Sequence, residues 1–333
     1  MNMRRIAEQA GVSVATVSRV LNNQSGVRPE LRDKILTIMK NENYVPGNIA
    51  NWMKASKTKL IGVLVSDLKD IHFSYTISAI HDDLYAAGYT MVLGITSGDM
   101  SVFENYIKDF GLKQVDGIIL VGSPFNDEKI IDYLNLVIKD TPIVMTNSDL
   151  NSGNIQSISV DVELGAFSVC KHLVQQGRKR IAFIGDVVSS KSGKRKLEGY
   201  GKALHLSGRE FSAEDVYYVG GRYMDEAFSW ATRNIEILES YDALMCSTDY
   251  VAIGIIRALE DAGIRIPQDI AITGYNNSVM SQYSNPPLTT VDNLHNVAGK
   301  LAVTMLKNAI ENTEFKVDLN IRPELVIRNS SVS

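Results

Sequence analysis

From residue 60 onward one pattern repeats: a short apolar run, then a stretch with helical spacing. The runs are LIGVLVS, TMVLGI, VDGIILV and PIVMTN, then RIAFIG, ALMCS and DIAITGY. Residues 75–87 are one of the intervening helical stretches. Parallel strands need a crossover between them, and each crossover lays a helix on the sheet, so this alternation predicts parallel sheets covered on both faces. The units are too many for one compact sheet. The pattern therefore predicts two α/β subdomains, each a doubly wound parallel sheet, with a ligand cleft near the carboxyl ends of the strands.

The stretch AGVSVATVSRVLN, residues 10–22, has a different character. Ile6 and Ala10 are four apart and share a helix face, and Gly11 is a helix stop. Ser13 reads as the N-cap of a second helix. In that helix Val17, Val20 and Leu21 form the apolar stripe, while Val14, Ala15, Ser18 and Arg19 face outward. A third helix follows, with Pro29 in its first turn and Leu31, Ile35, Ile38 and Met39 on its inner face. Two short helices joined by a Gly turn make a helix-turn-helix, whose second helix lies in the DNA major groove. Val14 and Ala15 suit thymine methyls, and Arg19 suits guanine or a phosphate. Thr16, Ser18 and Asn22 suit phosphate oxygens, and Ser13 at the helix start is counted with these DNA-binding residues. A helical hairpin for protein contacts has the same local pattern.

Charge agrees with the DNA reading. Residues 1–60 hold ten Lys+Arg against four Asp+Glu, a balance of +6. The remaining residues hold 24 against 34, or −10, so only the head suits a polyanion. No apolar run has the length of a membrane span, and the N-terminus lacks a signal-peptide core, so a cytoplasmic chain is expected. Cys170 and Cys246 lack metal or redox spacing and read as reduced, half-buried packing residues.

AEQAGVSVATVSRVLNN strongly resembles the DNA-binding head of the lac-repressor family of bacterial transcription regulators. NYVPGNIANWMKASKTKLIGVLVSD resembles that family's hinge and first core strand. VDGIILV, KRIAFIGD, KLEGYGKAL, GIRIPQDIAITGYNN and PPLTTVDN resemble successive landmarks of its core. The resemblance covers essentially the whole chain. It implies an all-α helix-turn-helix head at residues 1–45 and a hinge at 46–59. It implies a core resembling periplasmic binding proteins at 60–333. The chain would cross between the core subdomains near 158, 290 and 320. One subdomain is then about 60–158 plus 291–319, the other about 159–290 plus 320–333. The family's function implies a homodimeric repressor of palindromic double-stranded operator DNA, tuned by a small-molecule effector.

The hinge stretch PGNIANWMK spans only about two helical turns, too short to be stable alone in water. In the family, two such helices fold together in the minor groove. Met53 stands where a leucine usually wedges between base pairs, Ala50 would allow close approach, and Lys54 would meet phosphate. Trp52 is bulkier than the family usually carries.

No enzyme motif survives scrutiny. There is no GxGxxG after a strand, no GxSxG and no HExxH. VVSSKSGKRK lacks the leading Gly of a P-loop, and Arg195 stands where Ser or Thr should hold magnesium. The five histidines lack ligand spacing and read as surface or packing residues, with His72 at the cleft edge. No catalytic residue, metal or cofactor is expected.

The resemblance places His72, Phe73, Asp161, Lys196, Arg222, Thr248 and Asn276 at the effector. Lys196 replaces a family arginine, Thr248 an asparagine and Asn276 an aspartate. Losing a carboxylate while keeping Lys196, Arg222 and nearby Lys191 favours an anion such as a sugar acid or sugar phosphate. A neutral sugar or nucleobase fits if Arg222 points to solvent, and a phosphoprotein co-effector is a third route. A transporter's solute-binding protein would share the two-lobed body. The helix-turn-helix and the absent signal peptide argue against it.

Overall fold

The structure, a computed structural model, describes residues 3–21, 25–41, 57–311 and 319–332. It divides into two compact units, residues 1–58 and 59–333.

The first unit holds α1 (Met3–Ala10), α2 (Val14–Leu21) and α3 (Pro29–Asn41). Helix α1 ends because Gly11 adopts φ +72°, letting the Val12 amide donate back to Ala7 O at 2.9 Å. Lys34 Nζ adds a bond to Ala10 O at 3.2 Å. The three stripes meet in a core of Ile6, Ala7, Ala10, Val17, Val20, Ile35 and Met39.

The second unit begins with β1 (Leu60–Val65), α4 (Ile71–Ala86), β2 (Thr90–Ile95), α5 (Met100–Leu112) and β3 (Gly117–Val121). It continues through α6 (Glu128–Val137), β4 (Ile143–Thr146), β5 (Ile155–Val160), α7 (Val162–Gln175), β6 (Ile181–Gly185) and α8 (Lys191–Leu206). Next come β7 (Val216–Tyr218), α9 (Met224–Arg233), α10 (Ile235–Leu238), β8 (Ala243–Cys246), α11 (Asp249–Asp261) and β9 (Ala271–Thr273). The last elements are α12 (Val279–Tyr283), β10 (Thr290–Asp292), α13 (His295–Ile310), β11 (Leu319–Ile321) and β12 (Glu324–Val326).

These strands form two parallel sheets, ordered β11-β5-β4-β3-β1-β2 and β7-β6-β8-β9. The central strands are apolar on both faces, as helix-covered parallel strands must be. Ile119 and Val121 enter one core cluster, while Ile118 and Leu120 enter another on the opposite face. The first cluster runs from Val63 and Ile119 through Val162 and Ala166 to Phe183 and Met245, so the two lobes share a continuous core.

The chain leaves the first sheet after β5, and α7 then packs on α8 in the second lobe. After β10 it returns as α13, which packs on α4 in the first. Strand β11 extends the first sheet beside β5, and β12 pairs antiparallel with β10. The C-terminal segment ends in the second lobe, where Ile272 N donates to Ser330 O at 2.8 Å. Glycine permits the closest helix contact. A Cβ on Gly199 would stand 2.2 Å from Glu163 O, so α8 lies directly on the backbone of α7.

Cys170 and Cys246 are free and fully buried, deeper than the half-buried positions expected, because both belong to the apolar core clusters. Burial pushes the Cys170 thiol up to about 12. No helix of the described residues is long and apolar enough to cross a membrane. None of the described residues form a metal-binding cluster of His, Cys, Asp or Glu.

Candidate nucleic-acid interface and ligand cleft

In the first unit, Ser13 caps α2: the Thr16 amide donates to Ser13 Oγ at 3.2 Å. The Ser13 and Thr16 hydroxyls also bond each other at 3.0 Å. Val14, 40% exposed, stands out with Ala15 and Arg19, and Thr16 and Ser18 are partly exposed. Val14 and Ser18, like Ala15 and Arg19, are four apart and share a face. One face thus presents a methyl-rich N-terminal end with a guanidinium one turn on, a surface that fits the edges of base pairs. Asn22, Ala50, Met53 and Lys54 lie outside the described residues.

The second unit holds a cavity of about 300 Å³ between its lobes. Asp70, His72 and Phe73 come from the start of α4, and Ser123, Pro124 and Asn147 from the loops after β3 and β4. The opposite wall is Asp186, Ser190, Lys196, Arg222, Thr248 and Asn276. Asn293 and His295 line it from the crossing that leads into α13. Helices follow strands here, so their N-termini and the loops before them converge on one cleft.

Six of the seven residues expected at the effector line this cavity. Asp161 does not. Its short side chain is engaged locally, capping α7 by accepting from Leu164 N at 3.0 Å. Thr248 lines the wall, but its hydroxyl caps α11 by accepting from Val251 N at 3.2 Å. Asn276, at φ +102°, holds its amide oxygen 3.1 Å from Asn293 Nδ2. Arg222 is solvent-exposed at the mouth.

Lys196 is only 5% exposed, with Nζ donating to Ser247 O at 2.7 Å and lying 3.9 Å from the centre of the Tyr275 ring. Burial pulls its pKa down to about 8, against the opposing pull of Asp186, Asp70 and Asp249. Lys191 is engaged across the cleft, 3.1 Å from Asp127 Oδ2 and 2.7 Å from Asn126 O. The charges expected from Lys191 and Lys196 are therefore matched by nearby carboxylates, while Arg222 stays exposed at the mouth.

Sequence reasoning did not identify Asp70, Asp186, Asn293 or His295. His295 is a cleft residue rather than a surface or packing one. Burial, and then the nearby His72, hold its pKa well below the usual histidine range, so it is neutral. Its ring centre lies 4.7 Å from that of His72, whose Nδ1 is 2.7 Å from Asp70 Oδ1. Burial acts to raise the Asp70 carboxyl, but His72 outweighs it and the pKa falls below the ordinary value. Asp186 Oδ1, Asn293 Oδ1 and His295 Nε2 are buried on this wall without a hydrogen-bond partner. A buried polar atom left unpaired is costly, so these atoms mark where a ligand's polar groups or ordered water belong.

The mouth is bridged from lobe to lobe. Tyr223 donates its hydroxyl to Asp67 Oδ2, and Tyr250 donates to Lys69 O at 3.2 Å. Ile71 N donates back to the Tyr250 hydroxyl at 3.3 Å. Burial and the Asp67 carboxylate push the Tyr223 hydroxyl up to about 12, so it remains a donor.

Comparison with known proteins joins both units to one group. Residues 2–47 match the model for bacterial regulatory proteins of the lacI family, and residues 170–331 match a periplasmic binding protein-like domain. The chain is 30% identical to the HTH-type transcriptional repressor PurR of Mannheimia succiniciproducens, over 98% of both chains. It is also 30% identical to catabolite control protein A of Staphylococcus xylosus, over 86% of this chain and 85% of that one. A crystal structure of the lac repressor dimer, bound to operator and the anti-inducer ONPF, superposes with a TM-score of 0.86. It shares 25% identity and covers 100% of this chain and 99% of its own.

Proposed function

The chain belongs to the lacI family of bacterial regulatory proteins and is a DNA-binding transcriptional repressor with an effector-binding domain, and we propose that its effector is an uncharged sugar or sugar derivative held in the cleft between the lobes. The observation that carries this reading is the set of unpartnered buried polar atoms, Asp186 Oδ1, Asn293 Oδ1 and His295 Nε2. A hydroxyl group can donate to either oxygen and can donate to or accept from the imidazole nitrogen, so hydroxyls match all three. A sugar acid or sugar phosphate keeps such donors, but its anionic group would face the carboxylates of Asp70 and Asp186. Lys196, already held by Ser247 O and Tyr275, acts as a fixed counter-charge to those carboxylates.

On the DNA side, Val14, Ala15, Ser18 and Arg19 read base edges and phosphates, with Ser13 and Thr16 supporting the helix start. A palindromic operator requires two heads related by a two-fold axis, so the working form is a homodimer. The effector acts through its preference between closed and open lobes. Operator affinity then changes by that difference in binding energy, ordinarily about 1–3 kcal/mol.

The test is a thermal-shift panel on the full chain, with neutral mono- and disaccharides each beside its phosphate and its acid. A dose-dependent rise with a neutral sugar, lost in Asp186→Ala, is the expected result. Stabilisation by acids or phosphates alone, dependent on Arg222 or Lys196, would overturn the uncharged assignment in favour of an anionic effector.

A further inference from the structure

Two imidazoles lie against each other in the cleft, a pairing the effector reading leaves unused. The ring centres of His72 and His295 are 4.7 Å apart, tilted by 35°. Their helices fix them there. A Cβ on Gly299 would stand 2.8 Å from Thr76 O, so α13 rests directly on the backbone of α4. His295 is the first residue of α13, at one of the crossings between the lobes. Leu294 just before it is left-handed, at φ +53°, and its amide donates to Asp292 Oδ1 at 2.7 Å.

This enclosure has no place for a proton on His295. The residue is 8% exposed, and its Nε2 is buried without a hydrogen-bond partner. A proton there would be a buried charge with no acceptor. The surrounding groups do not supply one. On α4, His72 lies against the ring, and Asp70 is engaged by His72, with Oδ1 2.7 Å from Nδ1. On β10, Asp292 is held by Leu294 N and by Asn277 Nδ2. The first turn of α13 carries no acidic residue. Across the cleft, Lys196 on α8 repels a second cation, and Asp186 and Asp249 act on Lys196. Arg222 adds a like charge at the mouth. Asp70 draws a proton toward His295, but burial, His72 and Lys196 outweigh it.

Parting the lobes changes this balance. Lys196 belongs to the second lobe, and His295 packs with α4 of the first through α13. Separation carries the ammonium away and lets water reach the imidazole, and both changes favour the charged ring. A proton therefore binds the open arrangement better than the closed one, and whatever binds one arrangement better shifts the balance toward it.

We infer that His295 makes the proton a second effector of this regulator: the lobes close over its neutral imidazole, and a proton on that ring holds them open. The inference rests on the reading that the lobes open and close, and not on which effector fills the cleft. The sign follows from the two states. Closure is undiminished above the ordinary histidine value of about 6.5 and is lost as pH falls below it. For an imidazole freed to water on opening, the ratio of closed to open falls about tenfold between pH 7.5 and 5.5.

Two measurements on the full chain, without ligand, test this. The Ile71 amide donates to the Tyr250 hydroxyl across the mouth, and that bond breaks when the lobes part. Its hydrogen-exchange protection, corrected for the intrinsic pH dependence of exchange, is expected to fall about tenfold from pH 7.5 to 5.5. In His295→Gln the fall should vanish, although Asp249 and Lys196 still titrate there. Protection that is independent of pH, or lost equally in His295→Gln, overturns the inference. The second measurement keeps His295 in place. The five histidines, labelled with 13C at Cε1, are titrated by NMR in the parent and in Tyr223→Phe/Tyr250→Phe, which deletes the bonds across the mouth. If opening and protonation are linked, loosening the mouth must raise the His295 midpoint, by about half a pH unit or more. A midpoint that the double variant does not raise overturns the inference. Neither measurement involves a sugar, so silence of the sugar panel would sink the effector assignment alone.

Discussion

Asp249 follows β8 behind the cleft wall, 1% exposed. Its carboxylate accepts from Ser278 N and from the Thr290 hydroxyl, each at 2.6 Å, the second bond reaching the crossing strand β10. Burial outweighs these bonds and the Arg328 charge, pushing its pKa from 3.8 up to about 6. One pKa unit corresponds to ~1.4 kcal/mol, so holding the charge inside costs the folded state about 3 kcal/mol at neutral pH. The sign follows from proton counting. Between pH 3.8 and about 6 the folded chain binds a proton that the unfolded chain has lost. Stability therefore falls as pH rises through that window, and the cost is complete above it. Asp249→Asn removes the charge. The amide oxygen can accept from Ser278 N and the amide nitrogen can donate to Thr290 Oγ1, but the Thr290 hydroxyl must then turn away. Allowing about 1 kcal/mol for that, the variant is more stable by ~2 kcal/mol at pH 7.5. For a body of this size the gain is a rise in Tm of about 4 °C. At pH 4.5 the electrostatic part shrinks to about a third. Calorimetry at the two pH values reads both numbers. A variant equal to or less stable than the parent at pH 7.5, or a gain undiminished at pH 4.5, would refute the argument.

Three further outcomes are expected. Arg19→Ala, on an exposed helix face, should leave stability within about 0.5 kcal/mol while weakening operator binding by ~1–3 kcal/mol, read by gel shift and denaturation on one preparation. An unchanged operator affinity would remove Arg19 from the interface. Tyr223→Phe deletes the partly buried bond to Asp67 across the mouth and should weaken the closed arrangement by ~1 kcal/mol. It would show as faster ligand release at nearly constant Tm, and an unaltered release rate would mean that the bond does not hold the cleft shut. Gly199→Ala places a methyl against the Glu163 carbonyl and should destabilise the body by ~1–3 kcal/mol, because α7 and α8 must separate along backbone rather than side chains. Denaturant unfolding with an unchanged midpoint would count against that contact.

What the sequence determined by itself was local and periodic. The apolar runs after residue 60 were legible as strands because parallel strands buried on both faces need unbroken hydrophobicity. Gly11 and Ser13 were legible as a helix stop and a cap because those roles depend on the backbone of the next few residues. The likeness to a known family supplied His72, Phe73, Lys196, Arg222, Thr248 and Asn276 as cleft residues. The cleft's chemistry was decided elsewhere. Asp70, Asp186, Asn293 and His295 come from three separate segments, at the start of α4, after β6 and in the crossing into α13, and only the crossings of the chain bring them to one cleft. Asp161 went the opposite way, drawn to its own helix by a bond three residues along. The same holds for charge. A count along the chain found cations at Lys191, Lys196 and Arg222, but Asp127 balances the first, and Asp70 and Asp249, far off in sequence, join Asp186 around the second. Local geometry is set by bonds to near neighbours and can be read along the chain. Electrostatic balance and unmet hydrogen bonds depend on which distant groups share a cavity, and tertiary packing alone decides that.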